Sequence, residues 1–324
     1  MAFDIIGDVH GKAGELKKLL KKLGYEKING VYHHDERQVI FIGDLIDRGK
    51  DNIEVIKIAR SMSEGGAAKI IMGNHEYNAI CYHTPDGNGS YLREHTEKNY
   101  KQHEEFLNEF ASLEDGGNAL DDTINWFKTL PLFLDLKNLR LIHACWDHKS
   151  VHFLKENLNL DNTLTEEFLF KSTIKGSLEY DAVEISLKGP EAPLPEGTGF
   201  KDGGGVLRSE TRLQWWLQGK KSFKSLANVP IEIINNFPED LMVPKECLIE
   251  YENTEIPLFF GHYWMKGNPA IQSNNLCCID YSQKGAGGKL CAYRWSGEQD
   301  LTSNNFVYVD TTSYIIKKNF TQFN

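Results

Sequence analysis

Short apolar runs recur along the chain, and stretches with helical spacing follow several of them. The first run covers residues 3–6. Residues 12–23 come next, with Leu16, Leu19, Leu20 and Leu23 three or four apart and lysines between them, which predicts an amphipathic helix. Gly24 is its expected stop, because glycine takes the left-handed conformation that ends helices. A second run at 39–42 precedes a helix candidate at 52–60, where Ile53, Ile56 and Ala59 share a side. Further strands are expected at 69–72, 139–142, 258–260, 276–279 and 290–293. Within one of them the adjacent Cys277 and Cys278 would face opposite sides of a sheet. Strands alternating with helices predict an α/β fold, with the later portion richer in strands and glycine turns.

Two polar stretches read as insertions in a single domain spanning 1–324. Residues 84–121 contain the turn Asp86-Gly87-Asn88-Gly89 and a charged helix candidate at 92–113. Residues 147–257 carry Pro193, Pro195 and the run Gly203-Gly204-Gly205, which predict loops or a hairpin.

The candidate chemistry follows the strands. After residues 3–6 comes Gly7-Asp8-Val9-His10-Gly11, and after 39–42 comes Gly43-Asp44-Leu45-Ile46-Asp47-Arg48-Gly49. After 69–72 comes Gly73-Asn74-His75-Glu76; His143 follows 139–142, and Gly261-His262 follows 258–260. Five strands thus end in side chains able to bind a metal, and in α/β sheets sites form beyond the carboxyl ends of strands. Extended backbone between Asp8 and His10 would turn both to one face. The carboxylate of Asp44 can bridge two cations, Asn74 offers a neutral oxygen, and His143 and His262 offer imidazole nitrogens. This oxygen and nitrogen set suits manganese, iron or zinc in a reactive site better than a structural zinc. Two divalent ions about 3.5–4 Å apart can clamp a phosphate and generate hydroxide between them.

Composition narrows the partners. The 324 residues carry a formal charge of −10 and 40% hydrophobic content, enough for a substantial core but poor in the basic patches that nucleic acid or membrane surfaces attract. The opening lacks a signal-peptide pattern and no apolar run approaches a membrane span, so a cytoplasmic location is expected. Six cysteines without CxxC spacing are expected to be reduced thiols.

At these motifs the sequence resembles the calcineurin-like metallophosphoesterases, and within them bacterial relatives of phosphoprotein phosphatases and symmetrical diadenosine-tetraphosphate hydrolases. The phosphoprotein phosphatase pattern GDxHG, GDxVDRG, GNHE, a later His and a final GH reads here as GDVHG, GDLIDRG, GNHE, LIHACW and FFGHYW. The resemblance implies a metallophosphatase fold of two packed mixed sheets flanked by helices. It implies Asp8, His10 and Asp44 on one ion, and Asp44, Asn74, His143 and His262 on the other. Manganese is the expected ion, with iron, zinc, cobalt or nickel as alternatives. It further implies His75 as proton donor to the leaving group, Asp47 as its partner, Arg48 on the phosphate and Glu76 as support for the loop. Arg208 and Arg212 are candidates for a second phosphate contact. The segments around Asp280 and Gly288 resemble the family's closing hairpin.

The resulting expectation is a phosphomonoesterase acting on phosphoproteins or small phosphorylated molecules by direct attack of metal-bound hydroxide. The alternative is a symmetrical diadenosine-tetraphosphate pyrophosphohydrolase. A nuclease and a metal-free binding module on the same fold are further readings. Ala144-Cys145-Trp146 after His143 departs from the Gly-Gly of the protein phosphatases, while Asp47-Arg48 and Glu76 follow them. The pair Trp215-Trp216 reads either as a nucleobase platform or, preferably, as packing. His83, His95 and His103 read as exposed helix positions, Glu104-Glu105 as a solvated face, and Cys145 as a small core residue.

Overall fold

The computed structural model describes residues 2–194, 198–201, 207–282 and 287–311. The predicted stretches form β1 (Ala2–Ile6), α1 (Ala13–Leu23), β2 (Arg37–Phe41), α2 (Asn52–Glu64) and β3 (Ala68–Ile70). Next come α3 (Asn74–His83), α4 (Glu97–Ala111), α5 (Gly116–Phe127), β4 (Phe133–Leu136) and β5 (Leu139–Ile142). The strands β6 (Leu258–Phe260), β7 (Leu276–Cys278), β8 (Lys289–Trp295) and β9 (Phe306–Asp310) lie towards the end. One sheet has the order β9-β8-β1-β2-β3 and a second the order β7-β6-β5-β4.

Alternation along each strand makes the sandwich. Ile5 lies beside Ile40 on one side and Tyr293 on the other. These residues form a buried cluster with Leu139, Leu141, Phe259 and Cys277 of the second sheet. The next residues along, Ile6, Val39 and Phe41, belong instead to the cluster holding Leu16, Leu19 and Leu20 of α1 and Val55, Ala59 and Met62 of α2. Helices therefore cover the outside of two packed sheets. Each such isoleucine removed from water stabilises the fold by about 1.5–3 kcal/mol. Cys277 joins the inner cluster and Cys278 the outer one, on opposite faces as alternation requires. All six cysteines are free. Gly24 ends α1 at φ +92°.

What positions the site is strand direction. β1, β2 and β3 run parallel. So do β5, β6 and β7. Six carboxyl ends therefore open on one rim of the sandwich.

Two expectations change. The segments around Asp280 and Gly288 meet, the Lys289 N–H donating to the Tyr281 carbonyl at 2.8 Å, but the strands flanking them do not pair with each other. β7 pairs parallel with β6, whereas β8 lies antiparallel to β1 in the other sheet. The excursion 147–257 is not mainly loop, for it contains α6 (His148–Asn157), α7 (Glu166–Lys171) and α8 (Leu178–Lys188). The hairpin expected there is present as Glu191–Pro193 against Glu210–Arg212 and Phe200–Lys201 against Leu207–Arg208. Pro195 and Gly203-Gly204-Gly205 lie outside the described residues. No helix of the described residues is long and apolar enough to cross a membrane.

Candidate active site

The loops after β2 and β3 touch because both begin with glycine. Gly43 has φ +90°, and a Cβ there would lie 2.3 Å from the Gly73 nitrogen. A Cβ on Gly73 would lie 2.3 Å from Asp44 Oδ1. Glu76 then binds the two loops together. Its Oε2 accepts from the N–H of Asp44 at 2.8 Å and of Gly73 at 2.9 Å, and its Oε1 from the N–H of Leu45 at 2.8 Å. Glu76 is fully buried, and burial together with the Asp44 charge raises its pKa. It supports the loops, as expected.

Asp8 and His10 are brought together differently from the expectation. β1 has ended at Ile6, and His10 sits at φ +48° rather than in extended backbone. The N–H groups of Val9 and His10 both donate to the Asp44 carbonyl, at 3.0 and 2.9 Å, which curls the first loop onto the second. The His10 Nδ1 lies 3.0 Å from the Ile46 carbonyl. A carbonyl only accepts, so Nδ1 carries the proton and Nε2 presents its lone pair. That Nε2 lies 3.9 Å from Asp8 Oδ2 and 3.7 Å from Asp44 Oδ2. Both Nε2 and Asp8 Oδ2 are buried without a hydrogen-bond partner. An orphaned buried acceptor costs about 1–3 kcal/mol, so two aimed at one point beside a carboxylate fit a cation. Burial lowers the pKa of His10 well below the usual range, reinforced by the Arg48 charge. Burial, followed by the charge of Asp280, raises that of Asp8.

A second group meets the other face of Asp44. His143 donates Nδ1–H to the Ile42 carbonyl at 2.7 Å, which leaves Nε2 3.2 Å from Asn74 Oδ1 and 3.4 Å from Asp44 Oδ1. Nδ1 of His262, at φ +72°, lies 2.7 Å from the same Asn74 oxygen. Asp44, His143 and His262 offer donor atoms within 4.8 Å of one another, as do His10, Asp44 and His75. Burial would lower the pKa of His143, but the Asp44 carboxylate overrides it and holds the imidazole up to about 10. Asp44 is held correspondingly low against its burial by His143, His75 and His10. Burial and the Arg212 charge depress His262.

His75, Asp47 and Arg48 lie beside these groups. Asp47 Oδ2 accepts from His75 Nδ1 at 2.5 Å. His75 Nε2 is 3.8 Å from Asp44 Oδ2 and 3.3 Å from Arg48 Nη2. Burial opposes protonation of His75, but Asp44 and Asp47 outweigh it and raise its pKa. The Arg48 guanidinium lies over the Trp264 ring at 4.2 Å, with Nη1 buried and unpartnered.

Of the two further arginines, Arg212 lies against the site. Arg212 Nη1 donates to His262 Nε2 at 2.7 Å, whereas Arg208 is exposed on the ribbon beside Phe200. Trp215 and Trp216 are buried, and Trp215 donates Nε1–H to the Ala144 carbonyl at 3.1 Å. Their rings pack on Phe260, so they are core and not a base platform. Cys145 is likewise in the core.

Two residues of the site escaped the sequence reading. His103 is buried, not exposed, and its Nδ1 lies 2.8 Å from Asp47 Oδ1. Its spacing to Phe106 and Phe110 is the helical repeat of a buried face and is the signal for it. Asp280 is also fully buried. It accepts from the Trp264 N–H at 2.9 Å and thereby fixes the loop carrying His262. His83 is half-buried, and His95 is exposed but stacks between Tyr82 and Tyr91.

The sequence profile of calcineurin-like phosphoesterases matches residues 1–217, two thirds of the chain. The chain belongs to the calcineurin-like phosphoesterase family. The family is one of metal-dependent phosphoester hydrolases, and two groups of candidate metal donors meet at Asp44. Among curated proteins the chain is similar to the asymmetrical bis(5'-nucleosyl)-tetraphosphatase PrpE of Oceanobacillus iheyensis. Identity is 40% over 149 residues, which is 44% of this chain and 55% of that protein. It is also similar to the symmetrical bis(5'-nucleosyl)-tetraphosphatase of Hamiltonella defensa. Identity there is 28% over 163 residues, 48% of this chain and 50% of that protein. The chain thus spans about half the length of these relatives. A protein serine/threonine phosphatase from Saccharomyces cerevisiae shares the fold, with TM-score 0.52 and 13% identity over 97% of this chain and 81% of that one.

Proposed function

We propose that this phosphoesterase cleaves the phosphoanhydride chain of dinucleoside tetraphosphates, using two divalent ions held by Asp8, His10, Asp44, Asn74, His143 and His262. The supporting observation is the pair of buried, unpartnered atoms, Asp8 Oδ2 and His10 Nε2, turned towards Asp44, with His143 and His262 on its other side. Substrate choice rests on the relatives, both of which carry tetraphosphatase names. The likeness to the yeast phosphatase is one of fold and does not argue for a phosphoprotein. The phosphomonoester reading therefore gives way to the nucleotide one.

When bound, the ions neutralise phosphate oxygens and acidify a water. Arg48 and His75 Nε2 lie 3.3 Å apart, so a single phosphoryl group can meet both. Arg48 has a free buried Nη1 for a non-bridging oxygen. His75, its pKa raised by Asp44 and Asp47 against the effect of burial, donates a proton to the departing phosphate oxygen. Asp47 holds the opposite nitrogen and keeps Nε2 turned towards the substrate. Arg212 supplies a second positive charge beside His262.

The test is incubation of purified protein and Mn²⁺ with diadenosine tetraphosphate, followed by chromatography of the products. ATP and AMP are expected, the split named for the relative of higher identity. Two ADP would instead place the chain with the symmetrical enzymes. Intact dinucleotide, with turnover of a phosphopeptide under the same conditions, would overturn the nucleotide reading.

A further inference from the structure

The helix α4 carries two side chains into the catalytic loop. Glu109 caps α2 from outside, its Oε1 accepting from the Asn52 N–H at 2.7 Å and its Oε2 from the Ile53 N–H at 2.9 Å. Asn52 in turn holds the turn at Asp47, accepting the Asp47 N–H on Oδ1 at 2.7 Å and donating Nδ2–H to the Gly49 carbonyl at 3.0 Å. That turn needs holding, since Asp47 and Arg48 stand at φ +68° and +67°, a costly pair for residues with a Cβ. His103 reaches the same turn through its side chain. Its Nδ1 meets Asp47 Oδ1 at 2.8 Å while Asp47 Oδ2 holds His75 at 2.5 Å. The His103 ring is stacked on Phe106, with centroids 4.5 Å apart. Its Nε2 is buried and unpartnered. An apolar ring would be buried there without that cost, so the Nδ1 contact accounts for an imidazole at this place.

We propose that His103 is a positioning residue for the hydrolysis. It donates Nδ1–H to the far oxygen of Asp47, fixing the plane of the carboxylate. The near oxygen then holds His75 in the orientation that turns Nε2–H to the phosphate. The proposal rests on His75 as the proton donor.

The experiment is a double-mutant cycle of His103→Leu and His75→Ala in the Mn²⁺-loaded full chain. It is read as kcat and KM on diadenosine tetraphosphate and on phenyl phosphate, with metal content and melting temperature measured alongside. His103→Leu should lower kcat about tenfold or more with KM and metal content unchanged. It should have no further effect once His75 is alanine. His103→Asn places a donor where Nδ1 stood and should restore most of the rate, whereas His103→Gln, which mimics Nε2, should not. Equal losses in both backgrounds would mean a merely structural residue and overturn the proposal. So would a rate unchanged by His103→Leu while His75→Ala is crippled. If His75→Ala is itself fully active, the reading of His75 fails and the inference falls with it.

Discussion

Three imidazoles of the site, His10, His143 and His75, are aimed by what their other nitrogen touches. His10 and His143 give their Nδ1 protons to the Ile46 and Ile42 carbonyls, and His75 gives its own to Asp47. Carbonyls and an ionised carboxylate only accept, so in each case Nε2 is the atom left for chemistry. Asp47 stays ionised because the hydrogen bonds from His103 and His75 outweigh its burial, bringing its pKa down to about 2. The arginines separate just as clearly. Arg212→Ala should raise KM for diadenosine tetraphosphate roughly ten- to a hundredfold, the worth of a charge-assisted hydrogen bond to phosphate. Arg208→Ala should leave KM within error, and steady-state kinetics of the two variants check both. Much of this set was legible in the sequence, since Asp8, Asp44, Asn74, His143 and His262 each follow an apolar run. His103 and Asp280 were not, because their partners, Asp47 and Trp264, are distant in sequence or lie across a loop. The periodicity of His103 with Phe106 and Phe110 was nevertheless there to be read.

Among the elements, α4 matters most for the loop it supports. The N–H groups that open α2 have no partner within their own helix, and the flanking Asp51 side chain does not cap them. Glu109 does so from α4. Glu109→Ala should therefore lower stability by about 1–2 kcal/mol, the usual cost of a lost cap. Urea unfolding measures this, and an unchanged midpoint would contradict it. The alternation of β1 and β2 and the leucine spacing of α1 made those elements legible. The helices α6, α7 and α8 also had signals, since Asp147, Thr165 and Ser177 each accept from the N–H three residues on. The prolines and glycines downstream are stronger local signals than these caps and point to loops. Whether β7 and β8 pair cannot be read from local pattern, because two short apolar strands joined by a turn suit one sheet or two.

At the scale of the molecule, two parallel strand sets deliver their carboxyl ends to one rim, and the site is the place where the two sheets meet. That concentrates titratable groups, and without metal their pKa shifts predict a stability that depends on pH. His10, His262 and His83 are held below the ordinary histidine value, His83 down to about 4. Unfolding lets them take up protons in acid, so stability falls as pH drops below about 6.5. His143, held up to about 10, and His75 are raised. Their contribution is full below about pH 6.5 and is lost as pH climbs through the folded values. Asp8 and Glu76 are raised as well and act in the same direction, so the melting temperature of chelator-treated protein should fall as pH climbs from about 6.5 towards 10, and a steady rise over that range would contradict the assignments. Metal must take the His143 proton in order to bind, so loading should flatten the alkaline decline. All of this depends on Asp44 lying between two groups of donors. The most direct measurement is the metal content of gel-filtered, Mn²⁺-reconstituted protein by plasma mass spectrometry, for the wild type and for Asp44→Asn. About two ions per chain are expected in the wild type and almost none in the variant. A wild-type chain that retains no metal, or an Asp44→Asn chain that keeps its full complement, would contradict the shared site.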